Sequence, residues 1–149
     1  MRYDLRTEID IDAEPHEVWW LLGDLGGYAE WNPFITSATG TAAVGERLTL
    51  RLEPPGGRSV TLRPTVTEAT PGRTLAWLGR GGVPVIFDGR HRFELHPTAT
   101  GTRMVHSEHF SGLLVRLLRR SLDGSTRAGF EAMNQALANR VAAMPAPAG

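Results

Sequence analysis

Two histidines and a glutamate on neighbouring strands are the residues of this chain best suited to chemistry. The stretch from Phe87 to Phe110 reads as two long strands joined through His96-Pro97-Thr98-Ala99-Thr100-Gly101-Thr102. Side chains alternate between the faces of a strand. Phe87, Gly89, His91, Phe93 and Leu95 therefore share one face, and Met104, His106, Glu108 and Phe110 share one face of the second strand. An antiparallel register that joins these faces sets Leu95 opposite Met104, Phe93 opposite His106 and His91 opposite Glu108. Titratable groups among apolar side chains need partners or a wet cavity. An imidazole gives or takes a proton near neutral pH, and a carboxylate beside it fixes its tautomer. The trio suits proton removal beside a carbonyl and proton donation to a leaving hydroxyl. A buried polar group that satisfies itself and stiffens the sheet accounts for the same pattern. Zinc is a third use of such residues. The direct pairing of His91 with Glu108 suits a hydrogen bond better than a chelate, so neither a metal nor another cofactor is expected.

The elements that position this trio follow from periodicity. Tyr3, Leu5, Ile9 and Ile11 alternate with charged residues in a first strand. Glu14-Pro15 opens a helix, since proline suits the first helical position. Val18, Leu21, Leu22 and Leu25 form its buried stripe, with Trp19 and Trp20 flanking it and at least one of them packing inward. Gly23, Gly26 and Gly27 break the helix. A second short turn or helix over Tyr28–Trp31 stops at Asn32-Pro33. About six strands follow. Leu48, Leu50 and Leu52 mark one, and Val60, Leu62 and Val66 the next. Pro64 inside that strand calls for an edge position or a bulge. Pro71-Gly72 turns it back into Thr74–Leu78, in a register that sets Leu75 opposite Val66 and Trp77 opposite Pro64. Gly79-Arg80-Gly81-Gly82 is a glycine-rich connection with no phosphate-binding helix after it. Leu114, Leu118 and Leu122 make one helical stripe; Phe130, Met133, Leu137, Val141 and Met144 make a second, with Gly124 as a kink or break between them. Pro145–Gly149 reads as a frayed tail.

The chain has 149 residues, one domain's worth, with 41% hydrophobic residues and a formal net charge of zero. No basic field exists to draw nucleic acid. Every one of the 16 basic residues is arginine, so a Schiff-base lysine is excluded. No cysteine is present, which excludes disulfides, thiolate catalysis and Cys-type zinc sites. The charged N-terminus lacks an apolar signal core, and no apolar run reaches membrane-spanning length. A cytoplasmic protein with no membrane insertion is expected, as a monomer or homodimer. Arg116, Arg119 and Arg120 read as a solvated helix face.

The order of elements is strand, helix pair, sheet, long C-terminal helix. It resembles the SRPBCC or START-like superfamily, which includes START domains, the plant allergen Bet v 1 and bacterial polyketide cyclases/dehydrases. The matching runs are Ala13–Trp19, Tyr28–Phe34, Pro71–Trp77, Gly101–Arg103, His106–Gly112 and the C-terminal helix. The resemblance implies an α+β helix-grip fold over residues 1–144. In it a curved antiparallel β-sheet wraps a long C-terminal helix, two short helices follow strand 1, and residues 145–149 form a disordered tail. It also implies a deep cavity for a hydrophobic or aromatic small molecule. The superfamily has no universal catalytic residue, so fold alone does not select an activity.

The expected cavity wall comprises Tyr3, Leu50, Leu62, Trp77, His91, Phe93, His106, Glu108, Phe110, Phe130, Met133 and Leu137. Trp31 at the mouth and Asn134 as a polar contact join the ligand-binding set. For Trp31-Asn32-Pro33, a turn that staples the helix pair onto the sheet is an equal reading, with Asn32 bonding the backbone. The leading expectation is polyketide cyclase/dehydrase-like chemistry in which His106, helped by Glu108 and His91, shuttles protons. A non-catalytic lipid, sterol or metabolite carrier needs the same cavity without proton chemistry. A stress or chaperone-associated module would instead have a filled interior and an exposed apolar patch.

Overall fold

The computed structural model describes residues 1–80 and 87–144. Its elements are β1 (Arg2–Ile11), α1 (Pro15–Gly23), a 3-10 helix (Leu25–Glu30), β2 (Ile35–Thr39), β3 (Thr49–Leu52), β4 (Val60–Leu62), β5 (Thr65–Thr70), β6 (Thr74–Arg80), β7 (Asp88–Pro97) and β8 (Thr102–Ser111). The C-terminal helix follows as α2 (Val115–Ser121), a π-helical segment (Leu122–Thr126) and α3 (Arg127–Ala143). Gly81 and Gly82 of the glycine-rich connection, and the tail 145–149, lie outside the described residues.

The fold is the expected α+β arrangement. β1, β8, β7, β6 and β5 form an antiparallel sheet in that order, and β2, β3 and β4 form a second. Buried positions alternate on β7, β8 buries Met104, His106 and Phe110 on the matching face with Val105 buried as well on the other, and Leu95 faces Met104, Phe93 faces His106 and His91 faces Glu108. The first strand buries Leu5 and Ile11 against the same core.

Three local expectations change. Val60, Leu62 and Val66 do not share one strand. The chain passes from the small sheet to the large one at Pro64, which has no N–H to give to a ladder. The sheets stay joined because Leu48 N–H donates to Pro64 C=O at 2.8 Å and Val66 N–H donates to Glu46 C=O at 2.9 Å. The β5–β6 register also differs. Val66 pairs with Trp77 and Ala69 with Leu75, because the strands stay paired up to Thr70 and Thr74 at the turn, and a bulge between Val66 and Glu68 then shifts the register by one residue. Finally, the C-terminal helix does not break at Gly124. It runs from 115 to 143 and takes up the irregularity as one π-helical turn.

Proline at the first turn and Glu17 begin α1, with Glu14 N–H donating to Glu17 Oε2 at 2.8 Å. Val18 and Leu22 are buried, Trp19 is half-buried against the core, and Trp20 points to solvent. Asn32 holds the following turn. Its Oδ1 accepts from Phe34 N–H at 2.9 Å and Ile35 N–H at 2.8 Å. α3 packs across β1 and α1 and buries Phe130, Met133, Asn134, Leu137 and Val141. Its approach is close at Gly129, where a Cβ would collide with the Phe34 ring.

Candidate functional site

The helix does not fill the hollow of the sheet evenly. Under α3 the space is packed with Phe93, Phe130, Met133 and Leu137, all fully buried. Under α2 and the π segment a cavity of about 340 Å³ remains. Small apolar ligands occupy cavities of roughly this size, from about 300 Å³ upward. Its wall is mainly apolar: Leu50 and Leu62 from the small sheet, Trp77 and Phe110 from the large one, and Leu118 and Leu122 from the helix. His91 and Glu108 also border it.

Six of the expected wall residues thus meet at one cavity: Leu50, Leu62, Trp77, His91, Glu108 and Phe110. The other expected residues lie elsewhere. Phe93, His106, Phe130, Met133, Asn134 and Leu137 are buried beneath it, where α3 closes on the sheet. Trp31 packs edge-on against Tyr28 at 5.2 Å and is part of the turn that seats the helix pair. Tyr3 sits at the end of β1, where its hydroxyl donates to Asp123 Oδ1 at 2.6 Å and Arg119 lies over its ring. Phe34, at the end of the run Trp31-Asn32-Pro33-Phe34 that the sequence offers as a pocket mouth, borders the cavity, as do Phe87, Leu118, Leu122 and Arg58, to which sequence reasoning assigned no wall role. The alternating face of the first long strand already carried Phe87 and Gly89. The helix residues depend on where the π turn places them.

The polar residues form one directed chain. Thr7 Oγ1–H donates to His106 C=O at 2.9 Å, so Thr7 Oγ1 must accept from Asn134 Nδ2–H, at 2.9 Å. That orients the amide. Asn134 Oδ1 then accepts from His106 Nδ1–H at 2.8 Å. The His106 ring lies between Phe130, 4.0 Å away and nearly parallel, and Phe93, 4.3 Å away. Burial pushes its pKa well below the ordinary imidazole value, the neighbouring His91 lowers it further, and the Asn134 bond opposes both. A neutral His106 with its proton on Nδ1 has only a lone pair on Nε2. His91 Nε2, 2.7 Å away, must therefore be the donor.

The other ring nitrogen of His91 faces the carboxylate. This Nδ1 is 2.8 Å from Glu108 Oε1. A hydrogen bond at that distance needs a proton between the two atoms. Trp77 stacks on His91 at 4.8 Å and fixes the ring's tilt. Gly89 makes room for the carboxylate, because a Cβ there would collide with Glu108 Oε2. Among the described residues Oε2 has no hydrogen-bond partner. The expectation that His106 exchanges protons with a ligand changes accordingly. His106 is the fixed inner end of the chain, and Glu108 with His91 is the end that borders the cavity. The two Nε2 atoms bind each other, which leaves neither free for a metal ion.

A family model described as polyketide cyclase/dehydrase and lipid transport matches residues 2–143. The chain belongs to this family. No curated protein matches it. Solved structures share its fold. The di-domain ARO/CYC protein BexL of the BE-7585A biosynthetic pathway superposes with a TM-score of 0.78 at 14% identity, over 97% of this chain and 51% of BexL. This family member thus spans about half of that two-domain chain. The Zhui aromatase/cyclase from Streptomyces sp. R1128 superposes with a TM-score of 0.74 at 16% identity, over 95% of this chain and 94% of that one. A protein from Thermus thermophilus gives a TM-score of 0.76 at 21% identity, over 95% of this chain and 98% of that one. Among the described residues no helix is long and apolar enough to cross a membrane.

Proposed function

We propose that this protein binds a hydrophobic or aromatic small molecule in the cavity and catalyses a cyclase/dehydrase-type elimination with the Glu108–His91 pair. The observation that carries the reading is the hydrogen-bonded Glu108–His91 pair, 2.8 Å apart at the wall of a mainly apolar cavity, backed by a hydrogen-bond chain of fixed direction. Family membership supports the same class of chemistry.

The step balances on this pair alone. With the proton on His91, the Glu108 carboxylate takes the proton from the carbon beside a substrate carbonyl. The C–H electron pair becomes the new C=C bond as the C–O bond to the β-hydroxyl breaks. The pair then holds one proton more than at rest and passes one to the departing hydroxyl, which leaves as water. His106 takes no proton; it receives the His91 Nε2–H bond throughout and so orients the ring. Apolar walls hold the substrate and exclude water.

Hydroxytetralone, a bicyclic β-hydroxyketone that becomes fluorescent naphthol on losing water, is the test substrate. Wild-type protein is expected to accelerate that loss, and Glu108→Gln to slow it by about a hundredfold or more while naphthol still binds. Binding without acceleration by the wild type would overturn the catalytic reading and leave a carrier of apolar molecules. No binding of naphthol would overturn both.

A further inference from the structure

The outer surface of α2 is unlike the rest of the molecule. Val115 and Leu122 are buried and Leu118 is half-buried, facing the interior. At 3.6 residues per turn, Arg116, Leu117 and Arg120 fall on the opposite side. Leu117 is 80% exposed and Leu113, just before the helix, is 72% exposed. Leu114 and Met1 are exposed beside them, Met1 being held there by Gly112 N–H donating to its carbonyl at 3.1 Å. Arg119 is also exposed and lies over Tyr3. From Phe110 to Leu122 the chain has three arginines and no acidic residue, although the whole protein is neutral. The nearest acid along the chain, Asp123, is already engaged by Tyr3 and Arg127.

We propose that this end of the molecule docks on an anionic lipid bilayer. Leu113, Leu114, Leu117 and Met1 enter the headgroup–acyl boundary, and Arg116, Arg119 and Arg120 meet the lipid phosphates. Arginine suits that position because its stem lies along apolar surface while the guanidinium stays with the charged groups. Apolar side chains that stand out singly, ringed by cations, match a surface that yields around them. An acidic protein partner would supply charge but needs a groove to receive these leucines. The reverse side of the same helix gives the second reason. Leu118, Ser121 and Leu122 form cavity wall, so docking brings the cavity against the phase in which an apolar ligand concentrates. The docking surface itself does not depend on the elimination chemistry, and its test uses no substrate.

Vesicle flotation tests the proposal, with phosphatidylcholine alone against phosphatidylcholine carrying about 30 mol% phosphatidylglycerol. Wild-type protein is expected to float with the anionic vesicles, to stay behind with the neutral ones, and to be released by added salt. The variants are Arg116→Glu with Arg120→Glu, and separately Leu113→Ser with Leu117→Ser. Each is expected to lower the partition coefficient by about tenfold or more. Circular dichroism and uptake of anilinonaphthalene sulfonate should be unchanged in both, since none of these side chains borders the cavity. Wild-type protein that ignores anionic vesicles, or variants that float as well as wild type, would overturn the proposal. Absence of flotation together with capture of an acidic protein through the arginines would assign the surface to a protein partner instead.

Discussion

His91 Nε2 and His106 Nε2 lie 2.7 Å apart, and that contact makes one ring the donor and the other the acceptor. Because Asn134 has already claimed the proton of His106, the direction is decided from the core outward. The end of the chain that borders the cavity is His91 with Glu108.

Stability should fall on the acid side of neutrality. Burial lowers the folded-state pKa of His106 below its unfolded value of about 6.5. Above that pH the ring is neutral in both states and its contribution to stability is complete. Below it the unfolded chain takes up a proton that the folded chain refuses. The loss approaches about 1.4 kcal/mol per pH unit for one such group. Urea unfolding at a series of pH values from neutral to about pH 5 measures it. Stability independent of pH over that window would contradict a buried neutral His106.

Asn134→Leu removes the acceptor of His106 Nδ1–H and the donor to Thr7 while keeping side-chain volume similar. It leaves His106 Nδ1–H without an acceptor, while Thr7 Oγ1 keeps its bond to His106 C=O, and is expected to cost about 1–3 kcal/mol. A urea midpoint shift worth less than about 0.5 kcal/mol would show that the amide does not hold the chain of bonds.

Gly89→Ala acts on the site rather than on the core. The new methyl displaces the Glu108 carboxylate, so hydroxytetralone turnover should fall by about tenfold or more. The loss should appear in kcat more than in KM, because the methyl collides with the carboxylate but meets the Phe110 ring of the wall only at ordinary contact distance, 3.6 Å. Unchanged kcat would mean that the position of Glu108 is not critical.

Gly129→Ala acts on the core. Its Cβ meets the Phe34 ring, which is itself packed on Phe130 at 5.6 Å, and the cost should be about 1–3 kcal/mol. Phe34→Leu in the same chain should recover part of it. Strictly additive losses in that double-mutant cycle would place the strain elsewhere.

The family, the order of elements and the pairing of β7 with β8 were legible in the chain itself. Period-two alternation through Phe87–Phe110 keeps Phe93, Leu95, Met104 and Phe110 on the buried face, and with the short connection between Pro97 and Thr102 it sets the register in which His91 meets Glu108. The β5–β6 register was not legible, since neither pairing up to Thr70 and Thr74 at the turn nor a bulge at Thr67 leaves a mark in composition. The division of labour between the histidines was equally hidden. Alternation puts His91 and His106 on one face. It does not say that α3 comes down over His106, with Phe130 stacked on it and Asn134 at its Nδ1, while the π turn leaves space over Glu108. Which of two similar side chains meets a cavity depends on the packing of a helix more than twenty residues away in sequence, and that is settled only when the whole core closes.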